Sequence, residues 1–215
     1  MSKTVTPQTP GKRRQASEAR RRAILDAAFD IFIAEGFSAA RLDDIAKRAG
    51  VAKGTLYLFS KDKEDLFEQV ALDAVAPVLQ RLETLAAQPD LPFATLLTGI
   101  FALFEREVLQ TKRREIMRLI VSEGARFPKI AEFYHREIIS RGMSLISNAA
   151  ARAHGRGEIP SDALARYPQL LFGPMLIGVV WRALFEPYQH LDISGLLAAH
   201  RDMLLGTAQT KANDP

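Results

Sequence analysis

The stretch Leu42-Asp43-Asp44-Ile45-Ala46-Lys47-Arg48-Ala49-Gly50-Val51-Ala52-Lys53-Gly54-Thr55-Leu56-Tyr57 reads as two short helices joined by a tight turn. Leu42, Ile45, Ala46 and Ala49 recur at helical spacing, and Gly50 ends the pattern. Ala46 is small where the two helices must approach. Ile45, Val51 and Leu56 are placed to pack between them. This spacing predicts a helix-turn-helix, whose second helix lies in the major groove of DNA. Its exposed positions are Ala52, Lys53, Gly54, Thr55 and Tyr57. Glycine and alanine there let the backbone approach DNA. Lys53 and Thr55 reach base edges or phosphates, and the Tyr57 hydroxyl suits a phosphate. Asp43 and Asp44 complement the positive end of the first helix rather than facing bases. Lys47, Arg48 and Lys61 read equally well as solvated surface.

Outward from this core, a helix is expected from Ser17 to Gly36, with Ile24, Leu25, Ala28, Ile31 and Phe32 on one face. Downstream, Asp62 is a good N-cap, and Glu64 and Asp65 complement the dipole of a fourth helix. That helix ends at Gln88-Pro89-Asp90-Leu91-Pro92. Further helices are expected at 93–109, 112–124, 128–154, 162–186 and 190–207, with Pro174 inside one of them. No stretch alternates with a period of two, so the fold class is all-α. Residues 1–16 carry Pro7, Pro10 and Gly11 and read as a disordered basic arm. Residues 17–63 form the DNA-binding domain and 64–210 a helical-bundle domain.

Charge agrees with a nucleic-acid partner only through its placement. The net charge is +4, yet Lys3, Lys12, Arg13, Arg14, Arg20, Arg21 and Arg22 face Glu18 alone near the N-terminus. Such a cluster suits a phosphate backbone or a solvated leader equally. A hydrophobic fraction of 47% and no cysteine suit a globular, disulfide-free protein of the cytoplasm. The apolar run 170–180 is interrupted by Gly173-Pro174 and is too short to span a membrane. His135, His154, His190 and His200 are scattered without metal-ligand spacing, and no nucleophile elbow or phosphate-binding glycine loop occurs. No enzymatic activity, cofactor or metal is expected.

Ile24-Leu25-Asp26-Ala27-Ala28, Phe32, Glu35-Gly36-Phe37, Asp44-Ile45-Ala46, Ala49-Gly50-Val51, Gly54-Thr55-Leu56-Tyr57 and Lys63-Glu64-Asp65-Leu66-Phe67 together resemble the TetR family of transcription regulators. The resemblance covers about residues 17–70 and keeps family spacing. It implies that Tyr57 and Lys63 contact phosphate and that Lys53 and Thr55 face the groove, with Gly54 between them. Two departures stand out. Ser60 occupies a position the family usually fills with Phe or Val. Ala39, Ala40 and Arg41 stand where Ser or Thr usually caps the second helix, so that cap is missing or shifted to Ser38, and Arg41 becomes a phosphate-contact candidate. Arg118 to Pro128, followed by Ile130, Ala131 and Phe133-Tyr134, is similar to the AefR-like subgroup.

The resemblance also implies that the second domain binds a small-molecule effector and makes a homodimer on palindromic operator DNA, most often as a repressor. Phe101, Phe104, Met117, Ile120, Val121, Phe133, Met143, Phe172, Met175 and Trp181 are candidates to line a largely apolar pocket, or else fill an ordinary core. Arg118 and Glu123 are a pair or a polar anchor. Leu170, Leu171, Leu176, Val180 and Leu184, with Leu196, Leu197, Met203 and Leu204, offer apolar faces for a four-helix dimer interface. The competing reading is a DNA-bound adaptor or architectural protein with a filled core and no ligand response.

Overall fold

The structure, a computed structural model, describes residues 10–207, with side chains from residue 14 onward. Residues 1–9 of the expected arm therefore lie outside the described residues. Every regular element among the described residues is helical. In chain order they are α1 (Pro10–Ala39), α2 (Leu42–Arg48), α3 (Lys53–Phe59), α4 (Lys63–Ala86), α5 (Phe93–Phe104), α6 (Arg114–Glu123), α7 (Pro128–Tyr134), α8 (Ser140–Gly155), α9 (Ala163–Arg166), α10 (Gln169–Leu184) and α11 (Ile193–Leu205). Single π-helical turns, Glu105–Leu109 and His135–Ile139, extend α5 and join α7 to α8.

The chain divides into two compact units between Asp73 and Ala74. The division falls inside α4 rather than at its start, because Leu66, Phe67, Val70 and Ala71 are all buried. The core of the first unit is a cluster of three rings. Phe32 and Phe37 stack at 5.7 Å, and Phe67 meets both edge-on at 5.5 and 5.6 Å. Ile24, Leu25, Ala28 and Ile31 continue that buried stripe along α1.

Two expectations for α1 change. It is already helical at Pro10, so residues 10–16 are not a disordered arm and Ser17 is not its cap. Gln15, Ala16, Glu18 and Ala19 are good helix formers with no breaker after Gly11. Gly36 kinks the helix (φ 79°, ψ 166°) instead of ending it, and a last turn runs on to Ala39. That backbone conformation is open to glycine at little cost.

In the second unit, α5, α8, α10 and α11 share a core that includes Phe93, Leu97, Ile146, Leu171, Val179 and Leu197. The expected helix 162–186 is two helices, α9 and α10. Pro168 disfavours helical backbone at Tyr167, which stands at φ −129°, ψ 70°.

Candidate nucleic-acid interface and effector cavity

The helix-turn-helix is built from the inside out. Ile45, Ala46 and Leu56 are buried between α2 and α3. Gly50 makes the turn at φ +65°, a conformation side chains rarely adopt. Arg48 on α2 pairs with Asp30 on α1 at 2.6 Å. Arg41 caps α2 with extended backbone (φ −118°, ψ 136°) and no side-chain hydrogen bond. Its carbonyl accepts from the Asp44 and Ile45 amides, which leaves the guanidinium outside the cap, and the residue is exposed.

On the outside of α3 stand Lys53, Gly54, Tyr57 and Leu58, with Thr55 half-buried. The Lys53 ammonium is 2.7 Å from Asp43 Oδ1 and 6.0 Å from the Tyr57 ring centre. The hydrogen bond and charge of Asp43 raise the Lys53 pKa further, so the ammonium stays charged. A Cβ at Gly54 would meet nothing within 4 Å. The fold does not need glycine there, and glycine weakens a helix. The open approach it leaves faces outward.

Ser60 and Lys63 hold the turn into α4. Ser60 is 2% exposed, and its Oγ lies 2.8 Å from Asp62 O and 3.0 Å from Asp65 Oδ2. Asp62 caps α4 by accepting from the Asp65 amide at 2.7 Å. Serine thus fits where an apolar residue was expected, because the Asp62 carbonyl and Asp65 carboxylate answer its hydroxyl. The Lys63 ammonium donates to the carbonyls of Ser38 (3.0 Å) and Ala40 (3.2 Å) and sits 4.8 Å from the Phe37 ring centre. Lys63 therefore ties α4 to the end of α1, a bond that reading the residues in order did not suggest.

The second unit contains a cavity of about 510 Å³. Of the pocket candidates, Phe104, Met117, Ile120, Val121, Met143, Phe172 and Met175 line it. Phe101, Phe133 and Trp181 do not. Phe101 points into the α5–α11 core, its ring 6.4 Å from that of His200. Phe133 is buried with the Arg136 guanidinium 5.9 Å from its ring. Trp181 donates to the Gln189 carbonyl at 2.8 Å and packs edge-on against Phe185. Both π-helical turns contribute to the wall, through Val108 and through His135, Ile138 and Ile139. Such insertions recur where a helix is shaped for a site.

Polar groups on this wall are few: Arg113, Tyr134, His135 and Gln169. The Arg113 guanidinium donates to Ala74 O (2.6 Å) and Glu107 O (3.1 Å), and lies 3.3 Å from Glu107 Oε2. Desolvation pushes the Glu107 carboxyl up, but hydrogen bonds and charges from Arg106 and Arg81 outweigh it and hold the group below its ordinary value. Arg118 pairs with Glu115 at 2.7 Å, and neither Arg118 nor Glu123 lines the cavity. No group of His, Asp and Glu suited to a metal occurs among the described residues, and no helix there is long and apolar enough to cross a membrane.

Residues 24–70, the whole helix-turn-helix and its supports, match the family described as bacterial regulatory proteins, tetR family. That stretch of the chain is similar to the DNA-binding domain of the TetR family. Over 185 residues it is 26% identical to the HTH-type transcriptional regulator AcrR of Shigella flexneri, covering 85% of this chain and 86% of that one. Over 59 residues it is 46% identical to the regulator RutR of Escherichia coli, 27% of this chain and 28% of that one. Among solved structures it is similar to the transcriptional regulator FadR of Bacillus subtilis in complex with stearoyl-CoA. That match has a TM-score of 0.68 and 22% identity, covering 87% of this chain and 98% of that one. The SmeT–triclosan complex gives a TM-score of 0.72 at 22% identity, covering 87% and 90%. These last two likenesses are of fold. The kinship in sequence is with transcription regulators.

On α3 one exposed residue was not legible as such in the sequence. Leu58, beside Tyr57, is 90% exposed. A leucine after Tyr57 reads as one more apolar helix position, and only its placement on α3 shows that it faces out. A side chain of this kind suits the methyl group of thymine.

Proposed function

We propose that the protein is a DNA-binding transcription regulator, a homodimeric repressor released from a palindromic operator by a small, largely apolar ligand in the cytoplasm. The observation that carries this reading is α3. Its inner face is fixed by Leu56, while Lys53, Gly54, Tyr57 and Leu58 stand on its outside. Lys53, Thr55 and Leu58 address the groove, and Tyr57 and Arg41 address phosphates. Lys63 adds to a phosphate contact with the donor its two carbonyls leave over.

The cavity supports a ligand response over the adaptor reading, in which this space is filled. SmeT with triclosan is a neighbour in fold holding a largely apolar molecule, and FadR of Bacillus subtilis, another, holds stearoyl-CoA, of which the acyl chain is apolar. An apolar cavity of about 510 Å³ fits that class. Ligand and DNA then favour different arrangements of the dimer, and each lowers the affinity of the other by the same factor.

The test is a mobility-shift titration of the full-length protein on the region upstream of its own gene, across a salt series. A discrete complex that weakens steeply with salt is expected, and Tyr57→Ala weakens it about tenfold or more. A folded protein without sequence-preferring binding even at low salt would rule the reading out.

A further inference from the structure

Tyr134 ends α7, immediately before the π-helical turn His135–Ile139. Its side chain lines the cavity and is 6% exposed. The hydroxyl has no hydrogen-bond partner among the described residues, yet it is not among atoms sealed off without one. A buried hydroxyl without a partner is costly and rare. Burial pushes its pKa far up, so it stays protonated and is a donor.

The rest of the wall does not ask for charge. Arg113 is the permanently charged side chain on it, and that guanidinium is already bonded to Glu107 and to two backbone carbonyls. His135 is exposed, with its ring 3.4 Å from Ser140 Oγ. A carboxylate drawn into this space would lose its water without gaining an uncommitted cation. A neutral acceptor would lose little and gain the Tyr134 donor.

We propose that the cavity selects a neutral, largely apolar ligand bearing one hydrogen-bond acceptor, a ketone, ester or ether oxygen, and that the Tyr134 hydroxyl donates to it. This rests on the reading of the cavity as an effector site. It adds the chemical class of the effector and the residue that selects it.

Three probes on one two-ring frame test it by calorimetry with the full-length protein: benzophenone with a ketone, diphenylmethane without an acceptor, and diphenylacetate with a carboxylate. Benzophenone is expected to bind about five- to tenfold more tightly than diphenylmethane, with diphenylacetate weakest. Tyr134→Phe should remove the ketone's advantage and leave diphenylmethane unchanged. The variant should melt no lower than the wild type, since the lost hydroxyl bonded no protein group. Equal binding of ketone and hydrocarbon, an advantage that survives Tyr134→Phe, a variant that melts lower, or a preference for the carboxylate would each overturn the proposal. In these cases a bound hydrocarbon still leaves the cavity an effector site. If no probe binds a protein that still shifts its operator, the proposal and the effector reading fall together, while the DNA reading stands.

Discussion

Before Lys53 can bond a phosphate or a base edge, its ammonium must leave the Asp43 carboxylate at 2.7 Å. Asp43 also places a negative charge near the start of α2, close to the face through which α3 is proposed to meet DNA. Replacing it with asparagine keeps the size of the side chain and its ability to accept at a helix N-terminus. It removes the competitor for Lys53 and a charge that repels phosphate. Asp43→Asn is therefore expected to tighten operator binding about two- to fivefold at low salt, with the gain shrinking as salt rises. Fluorescence anisotropy on a labelled operator measures this, and unchanged or weaker binding would contradict it. The same few residues show what the sequence made legible. Lys53, Gly54 and Tyr57 follow from helical spacing around Ile45 and Leu56, because a short helix has only one outside. Lys63 and Ser60 do not. Lys63 bonds carbonyls 25 and 23 positions away, and Ser60 depends on how the turn into α4 closes around Asp65.

At the scale of elements, α5 shows how a helix can borrow its cap. Pro92 precedes it with φ −57°, ψ 139° and offers no side chain to the free amides. Glu158, from the segment after α8, accepts from the Phe93 amide at 2.5 Å and is gripped by Arg156. The Arg156 hydrogen bond, then that of the Phe93 amide, hold the Glu158 carboxyl below its ordinary range. A carboxyl depressed in the folded state stabilises it above the unfolded pKa, about 4.3 for glutamate, and stops doing so as pH falls through the folded value. Glu158→Gln should cost about 0.5–1 kcal/mol at pH 7. The gap from wild type should narrow as pH drops below about 4. Urea unfolding at several pH values checks both, and a gap constant with pH would show that the charge is not what matters. Periodicity located most of the helices but not their interior events. The π-helical turns at 105–109 and 135–139 insert into continuous apolar patterns without breaking them, so 93–109 and 128–154 each read as one helix. The break at Pro168 was legible in principle. A proline disfavours helical backbone at the residue before it, while the apolar spacing runs on either side of Pro168.

For the whole molecule, the decisive question is which side of α10 faces a partner. The helix is apolar nearly all round, so its sequence could not separate its own core from a dimer face. The structure separates them. Leu171 and Leu197, expected at the interface, are buried in the core of the second unit at 0% and 1% exposure. Met175 and Leu176 line the cavity. Leu170, Ile177, Leu184 and Phe185 are left exposed, with Met203 on α11. Apolar side chains this size, spaced along one helix, mark a surface that another protein covers. In the proposed regulator that protein is a second copy of the chain. A seven-residue recognition helix reads few bases, and a two-fold dimer reads a palindrome with two. Ile177 is half exposed and is not among the cavity residues, so it tests the interface without touching the ligand site. Ile177→Asp places a charge where two apolar faces are proposed to meet, and desolvating it there is costly. The variant is expected to keep its helical circular dichroism and its binding of benzophenone. By light scattering it should run as a monomer at concentrations where the wild type is a dimer. Its operator affinity should fall by at least about a hundredfold, because each half-site must then be held alone. A dimer that survives the substitution would move the interface off this face of α10. A monomer that still binds the full operator as tightly as the wild type would remove the reason for the dimer.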